Sequence, residues 1–246
     1  LILYGLYAWN NIMHYDEEEE VIYVEVYAKQ FNWDFRYAGD DNVLGKANVR
    51  FIEGINVVGA DMADPNAQDD VVTKELHLPV GKKVVLKMRS QDVLHSAYFP
   101  HFRAQMNTVP GMVTQFAMTP TVTTTEMRDR EEIVDRVNKI NEARNKQSRK
   151  LVEKGEPGLE PYTFDYILLC NKICGRSHYN MQAKVVVETE AEFRKWINQQ
   201  PKLGKQVAEE KAAAAAPKVE AEPVQTPVEE PQIVVDTTAV VAQVIK

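Results

Sequence analysis

The sequence predicts a mainly β protein, a Greek-key β-sandwich interrupted by one charged helical insertion. Three observations support this fold class. Short stretches of alternating apolar and polar residues recur along the chain, turn-forming residues separate them, and one long charged segment has helical periodicity instead. Several short strands in this arrangement are typical of sandwiches and barrels, whose functional loops lie at one end.

Length and charge limit the possible functions. The chain has 246 residues, of which 44% are hydrophobic, and this is enough for one substantial domain with appendages. Its formal net charge is −7. Nucleic-acid binding requires a basic face, so this charge argues against a nucleic-acid partner and favours a cationic one.

The N-terminal segment, residues 1–15, contains no charged residue. It is shorter than the roughly 20 apolar residues that a membrane-spanning helix needs. We interpret it as the end of a transmembrane helix, with Tyr7, Trp9 and Tyr15 at the membrane interface. A buried amphipathic start is the alternative. The five acids at 16–20 form either a solvated turn or part of an acidic docking field.

Residues 21–37 predict β-structure with a change of phase. Alternation places Ile22, Val24 and Val26 on one face, and Phe31, Trp33, Phe35 and Tyr37 on the other. A slip of one residue turns every later side chain to the opposite face, so we expect a bulge or strand break near Lys29 and Gln30.

The middle of the chain is less regular. Residues 40–70 have little regular pattern and are interrupted by Gly45, Gly54, Gly59 and Pro65, so they predict a surface loop, with a possible short strand at 49–52. Strands are predicted at 74–78 and 84–88, and His77 alternates with leucines as a solvent-facing strand residue. Two more short strands are expected around Pro120, within 113–125.

The helical insertion is predicted at 126–158. This segment is highly charged and carries a narrow apolar stripe at near-helical spacing, formed by Ile133, Val137, Ile140 and Leu151. Strands follow at 164–169 and 183–188, and a short capping helix at 190–199. The Ala-, Pro- and Glu-rich segment 205–246 cannot bury a core and predicts a disordered tail.

The chain's only two cysteines lie in one short motif. The motif reads Cys170-Asn-Lys-Ile-Cys174-Gly-Arg-Ser-His178-Tyr-Asn-Met181. Thiolate, thioether and imidazole donors together suit copper, whereas zinc gains little from a thioether. Cysteine spacing alone is equally compatible with a short disulfide or two buried thiols. A second histidine, His95, follows an apolar strand in the sequence Asp-Val-Leu-His-Ser, and Val-Pro-Gly comes later.

Together these paired motifs resemble subunit II of the haem-copper cytochrome c oxidases over roughly residues 1–200. The resemblance implies a cupredoxin-like domain with a binuclear copper centre of the CuA type. Cys170 and Cys174 would bridge two coppers, and His95 and His178 would each bind one. Met181 would be a weak ligand, and Lys172 would contribute its backbone carbonyl.

Two positions depart from the family pattern. The family usually has glutamate where this chain has Lys172. In the family, the glutamate side chain helps to hold a magnesium ion at the boundary with subunit I. Lysine cannot do this, so the magnesium site is doubtful in this chain. The aromatic stretch, often Gln-Trp-x-Trp, is here Gln30-Phe31-Asn32-Trp33. Phe31 and Trp33 are therefore the expected route by which electrons reach the copper.

The resemblance implies an electron-accepting oxidase subunit that is membrane-anchored, with its copper domain on the periplasmic face of a bacterial inner membrane. Its partners would be subunit I, other oxidase subunits, and cytochrome c or an equivalent haem donor. Asp40 and Asp41, near the aromatic stretch in sequence, are candidates for steering a basic cytochrome. The motifs contain no acid–base pair that would make this site catalytic itself.

Three alternatives come from other classes. Nitrous oxide reductases have a similar copper motif, but they carry a second, histidine-rich copper domain for which five histidines leave no room. Quinol oxidase subunits II share the fold without the ligands. A copper-delivery or redox thiol protein would use Cys170 and Cys174 alone, and would not need His95.

Overall fold

The computed structural model describes residues 1–13 and 21–215. The acidic run at 16–20 and residues 216–246 of the predicted tail lie outside these ranges. The first helix, α1 (Ile2–Met13), has large apolar side chains that are mostly exposed, including Leu3 and Trp9. Within the described ranges, no helix combines the length and apolar character needed to cross a bilayer.

In the part of the chain that the structure describes, ten strands form two five-stranded sheets, and the predicted β-sandwich is confirmed. The first sheet has the order β3-β2-β1-β5-β8, and the second has the order β4-β10-β9-β6-β7. In each sheet one pair is parallel, β1 with β5 and β4 with β10, and the other pairs are antiparallel. The strands are β1 (Val21–Lys29), β2 (Asn32–Tyr37), β3 (Val71–Thr73), β4 (Leu76–Pro79), β5 (Lys83–Ser90), β6 (His95–Phe99), β7 (Ala104–Thr108), β8 (Thr114–Met118), β9 (Tyr166–Cys170) and β10 (Gln182–Glu188).

The predicted break near Lys29 and Gln30 is confirmed as the turn of the β1–β2 hairpin. Antiparallel pairing sets Val26 opposite Phe35 and Ala28 opposite Trp33. Side chains opposite each other in an antiparallel pair share a face, so both apolar sets point into one core. All four of these residues are fully buried.

Helix α4 (Glu190–Gln199) covers one edge of the core, as predicted. A capping box between Thr189 and Glu192 begins the helix, and Trp196 packs edge-on against Tyr37. The expectation of a solvent-facing His77 is wrong. Its ring is buried and stacks on Trp196, with centroids 3.8 Å apart, and its Nδ1 lies 2.9 Å from Glu188 Oε1.

The charged insertion is helical, as predicted, and consists of α2 (Thr124–Arg128) and α3 (Glu131–Val152). Ile133 is buried in the core and Val137 packs against it, whereas most charged residues remain in solvent. Arg128 anchors the insertion, because it donates to the Phe164 carbonyl and pairs with Asp165.

Two local predictions are wrong. The expected second strand after Pro120 is replaced by the start of α2, where Thr123 and Glu126 form a capping box. Residues 49–52 form a 3-10 turn, Val49–Phe51, because the Asn48 side chain accepts from the Arg50 amide. In addition, the short strands β3, β6 and β7 were not predicted.

The predicted tail boundary at residue 205 also requires correction. Helix α5 (Leu203–Ala215) occupies its first part. Leu203 and Val207 are one helical turn apart and are buried with Tyr27, Val58 and Ala60 in a second apolar cluster outside the main core.

Candidate metal centre

Four turns meet at one end of the sandwich, which we call the metal end: residues 30–31, 91–94, 109–113 and 171–181. Strand register brings them together. Ala28 lies beside Ser90 in the first sheet, and Ala97 lies opposite Cys170 in the second. A bridge from Ser90 to Pro110 joins the turns of the two sheets. Residues far apart in sequence thus contribute to one site.

Cys170 and the distal histidine lie at strand ends, and Cys174 lies in the loop after β9. His95 begins β6 and is fully buried, and its Nδ1 is 3.8 Å from Cys170 Sγ. Cys170 ends β9, and its amide donates to the Met181 carbonyl at 3.0 Å. The two sulfurs of Cys170 and Cys174 are 3.9 Å apart, and both cysteines are free and buried.

The remaining predicted donors come from the loop between β9 and β10. His178 Nδ1 is 3.6 Å from Cys174 Sγ, and Met181 Sδ is 3.7 Å from the same sulfur. The Lys172 carbonyl accepts from Cys170 Sγ at 3.2 Å. The structure therefore brings together all six predicted donors, with one imidazole nitrogen beside each thiol.

Asp92 and Gln30 hold this arrangement, and neither was identified from the sequence. Asp92 Oδ1 lies 2.8 Å from His95 Nε2, and Asp92 Oδ2 accepts from the Gln30 amide at 2.7 Å. The Gln30 side chain donates to the Cys174 carbonyl. One pair of residues thus connects the two loops that carry the ligands to the β1–β2 turn. The position of Asp92, three residues before His95, was the available signal.

The charge on Asp92 sets the tautomer of His95. Burial opposes ionisation of Asp92, but hydrogen bonds from the Gln30 amide and His95 outweigh it and lower the pKa of the carboxyl group. An ionised carboxylate can only accept, so His95 Nε2 carries the proton. In the neutral ring the lone pair is then on Nδ1, which faces the sulfurs as a ligand nitrogen must.

The two aromatic residues expected to receive electrons occupy different positions. Trp33 is fully buried, with its ring edge-on to His95 at a centroid distance of 6.2 Å. Phe31 is half-buried and lies against Gly175, where a Cβ atom would come within 3.0 Å of its ring. Of the pair, only Phe31 reaches the surface.

The donor set fits copper. His95, Cys170 and Cys174 place one donor atom each within 4.8 Å of one another. Soft sulfur and imidazole donors select copper over harder ions. Burial, together with the adjacent Cys170 thiol, raises the pKa of Cys174 to about 11. The two sulfurs therefore need a bound cation to be thiolates together at neutral pH.

Magnesium does not fit the position of Lys172. The Lys172 side chain is exposed and ends in an ammonium group, which has no lone pair to offer when charged. Its backbone carbonyl is already directed at Cys170. The residue can thus contribute to the copper donor set but cannot replace a magnesium-binding carboxylate.

The acids proposed to steer a basic cytochrome are not at this site. Asp40 and Asp41 follow the far end of β2, beyond Tyr37, whereas the metal end lies next to Asn32. Five residue steps of extended strand separate Tyr37 from Asn32, a distance of about 17 Å. Asp40 also pairs with Lys202 at 3.0 Å. The expected position of these acids beside the aromatic stretch is therefore wrong, while their role in steering a cytochrome stays a prediction.

Comparisons with known proteins agree with the motif. Residues 22–134 match the family model of the cytochrome c oxidase subunit II periplasmic domain. This match includes His95 and ends before Cys170. The alternative cytochrome c oxidase subunit 2 of Bradyrhizobium diazoefficiens is 36% identical over 198 residues, which are 80% of this chain and 56% of the relative. The chain thus spans just over half of that relative's length.

A more distant sequence relative points the same way. Cytochrome c oxidase subunit 2 of Thermostichus vulcanus is 27% identical over 130 residues, covering 52% of this chain and 27% of the relative. Among solved structures, the periplasmic domain of cytochrome oxidase subunit II of Bradyrhizobium japonicum aligns with 77% of this chain and 94% of its own, at 15% identity and a TM-score of 0.41. The sequence matches show that the chain is related to cytochrome c oxidase subunit II, and that residues 22–134 correspond to that family's periplasmic domain.

Proposed function

We propose that this chain is the electron-accepting subunit of a respiratory cytochrome c oxidase. It takes electrons one at a time from cytochrome c or an equivalent haem donor at a binuclear copper centre of the CuA type, and passes them to the haem of subunit I. Reduction of oxygen to water and the coupled proton translocation belong to the whole complex. Subunit I and other oxidase subunits are therefore its permanent partners.

The observation that carries this proposal is the paired arrangement of sulfur and nitrogen atoms. Two sulfurs 3.9 Å apart each have an imidazole Nδ1 within 3.8 Å, and Met181 and the Lys172 carbonyl lie on opposite members of the pair. Two copper ions bridged by thiolates would share a single electron with little change in geometry. A disulfide or a simple dithiol requires neither imidazole.

The chain's own residues keep the site rigid and dry. Cys170 and His95 are fixed by β-ladders, and Asp92 orients the His95 ring. His95, Cys170, Cys174 and Met181 are each less than a tenth exposed. A rigid, water-excluding donor set suits electron transfer, because little reorganisation accompanies the change in charge.

The periplasmic location follows the family, whose matched region is its periplasmic domain. We extend this to a copper domain on the outer face of a bacterial inner membrane, anchored through the N-terminal region. The exposed apolar side chains of α1, Leu3, Leu6 and Trp9 among them, support an anchor there.

Electron transfer tests the proposal. The copper-loaded chain, oxidised, is mixed in a stopped-flow instrument with a reduced c-type cytochrome. We expect the cytochrome to be oxidised as the copper absorption bleaches, with one electron accepted per two coppers. His95→Ala should abolish this reaction, whereas His101→Ala, at the opposite end of β6, should not.

A second candidate function makes a different prediction. The free cysteines, 3.9 Å apart, would also allow a copper-delivery or redox thiol protein. Such a protein should keep its thiol chemistry and bind a single copper after His95→Ala. Full electron transfer in that variant would contradict the oxidase proposal.

A further inference from the structure

Asn171 begins the loop between β9 and β10, which we call the metal loop. Its backbone amide donates to the Ser96 carbonyl at 3.0 Å, and this bond continues the pairing of β6 with β9 by one residue. Successive side chains of a strand point to opposite faces. Cys170 accordingly packs in the core, whereas the Asn171 side chain is exposed on the outer face of the second sheet. One residue supplies a metal donor, and the next is available to hold the loop.

Gln105 on β7 holds the Asn171 side chain. Its Oε1 accepts from Asn171 Nδ2 at 3.0 Å, and its Nε2 donates to Ser96 Oγ at 3.1 Å. Strand register sets Tyr98 opposite Gln105, so Gln105 reaches Ser96 along the diagonal of the strand pair, a span that a long side chain can cover. A carboxamide suits this position because it carries an acceptor and a donor side by side. We call Ser96, Gln105 and Asn171 the amide clamp.

The amide clamp is anchored beside a predicted copper donor. Ser96 is fully buried and directly follows His95 in β6. Both Ser96 oxygens accept hydrogen bonds, the carbonyl from the Asn171 amide and the hydroxyl from Gln105. The strand that carries His95 and the loop that carries the second cysteine are therefore joined on the face of the sheet opposite to the donors.

Lys172 lies between two fixed points of the metal loop. The amide clamp holds the residue before it, and the Gln30 side chain holds the Cys174 carbonyl after it. The Lys172 side chain is exposed, so it does not itself set the direction of the peptide. The Lys172 carbonyl nevertheless faces Cys170 Sγ at 3.2 Å. Its orientation therefore follows from the residues on either side.

We propose that Gln105 is a positioning residue for the copper centre, which acts through Asn171 to direct the Lys172 carbonyl toward the copper beside Cys170. The inference rests on the proposed function and assigns a role to two residues outside the donor set. Partners beyond the ligands orient those ligands, and a loop carbonyl depends on such support more than a donor fixed within a strand.

Removing the carboxamide tests this role. Gln105→Leu keeps a side chain of similar volume but loses both hydrogen bonds. In the copper-loaded full chain, we expect copper affinity to fall about tenfold in a chelator competition, the lower end of the range for residues beyond the ligands. The hyperfine coupling to the two coppers should also become less equal, because Met181 lies beside Cys174 and not beside Cys170.

A rescue variant and a matched control separate positioning from general stability. Gln105→Glu should restore affinity and spectrum, because a carboxylate can accept from both Asn171 Nδ2 and the Ser96 hydroxyl. Asn171→Ala should resemble Gln105→Leu, and the double variant should be no worse than either, since the two residues act as a unit. Asn107→Leu is the control: this exposed residue lies on β7 opposite Ser96 and should leave affinity and spectrum unchanged.

Hydrogen exchange of the copper-free chain provides a second readout. Gln105→Leu should speed exchange of the Asn171 amide, which is bonded to Ser96. The Gln91 amide, bonded to the Ala28 carbonyl at the same end of the molecule, should exchange as in wild type.

The outcomes distinguish the two proposals. If the wild-type chain forms no binuclear centre, the proposed function fails, and the copper role of Gln105 fails with it. If the centre forms but Gln105→Leu keeps the wild-type affinity, spectrum and exchange, only the positioning role is overturned. That role is equally overturned if Asn107→Leu causes the same loss, or if Gln105→Glu restores nothing.

Discussion

Asp92 does the most of any single residue outside the donor set to fix the geometry of the site. Its two carboxylate oxygens bind the His95 ring and the Gln30 amide, and Gln30 in turn holds the Cys174 carbonyl. Partners of this kind, one shell beyond the metal, orient the ligand and raise its basicity. The sequence motif indicates His95 as a ligand but not the residue that sets its tautomer.

Replacing Asp92 should weaken copper binding without removing a ligand. Asp92→Ala leaves His95 Nε2 without an acceptor, so we expect copper affinity to fall about 10–100-fold. Asp92→Asn keeps one oxygen toward His95 and should restore much of the loss. A competition titration with a copper chelator measures both variants, and Asp41→Ala at the far end is the control. Equal affinities for Asp92→Ala and wild type would refute the role.

Gly175 permits the close packing of the metal loop on the β1–β2 turn. Its φ is +140°, and a Cβ would lie 2.8 Å from Gln30 Nε2 and 3.0 Å from the Phe31 ring. Gly175→Ala should therefore destabilise the fold by about 1–3 kcal/mol and disturb the copper spectrum.

Gly111 offers a matched control for that change. It also has a positive φ, +75°, but a Cβ there would meet nothing within 4 Å. Gly111→Ala reports backbone strain alone in a thermal denaturation experiment. If both variants lose the same stability and both keep the copper spectrum, the close packing at Gly175 has no measurable effect.

At the scale of elements, local sequence patterns predicted the positions of most strands, but not which side chains become buried by contacts with distant elements. The change of phase at Lys29 could be identified because side chains of a strand alternate between two faces, so an inserted turn shifts the apolar pattern by one residue. The burial of His77 could not be predicted from its own strand, because it depends on Trp196, which is more than a hundred residues later in the sequence. Likewise, the apolar side chains of α5 form a core only where Tyr27 and Val58 lie beneath them.

Helix α5 should contribute to stability although its sequence predicts disorder. Leu203 is fully buried in the second apolar cluster, so Leu203→Ala should cost roughly 2–5 kcal/mol of unfolding free energy. Chemical denaturation measures this value, and exposed Lys205→Ala serves as the control. A loss no larger than that of the control would show that α5 does not dock.

A buried ionic network joins β1, β2 and the loop before β3. Arg36 pairs with Glu25 at 2.7 Å and with Asp70 at 2.8 Å, and all three residues are buried. Burial raises the pKa of Asp70 to about 6, although Arg36 acts in the opposite direction. The folded protein therefore holds a proton on Asp70 in a pH range where the unfolded chain has lost it.

Stability should consequently depend on pH through Asp70. Because its pKa is raised on folding, ionisation between pH ~4 and ~6 lowers the unfolding free energy, by up to about 3 kcal/mol. Relative to Asp70→Asn, wild type should thus gain stability as the pH falls from 6 to 4. Parallel denaturation curves for the two proteins across this range would contradict the assignment.

For the whole molecule, the metal centre was more predictable than the surface around it. The donors occur in two short motifs. Spacing and chemistry indicated the two cysteines, His178 and Met181, and the family resemblance implied His95 and the Lys172 carbonyl. The charge around the metal end depends on which turns meet at that end of the sandwich. Sequence proximity placed Asp40 near Phe31, whereas the direction of β2 carries the two residues to opposite ends.

The most direct test of the central claim is copper content measured together with the electron paramagnetic resonance spectrum of the copper-loaded chain. We expect two coppers per chain and a hyperfine pattern shared over both nuclei, because Cys170 and Cys174 place their sulfurs between the two imidazoles. A single copper with an ordinary four-line pattern, or no tight copper and a Cys170–Cys174 disulfide, would contradict a binuclear electron-accepting centre.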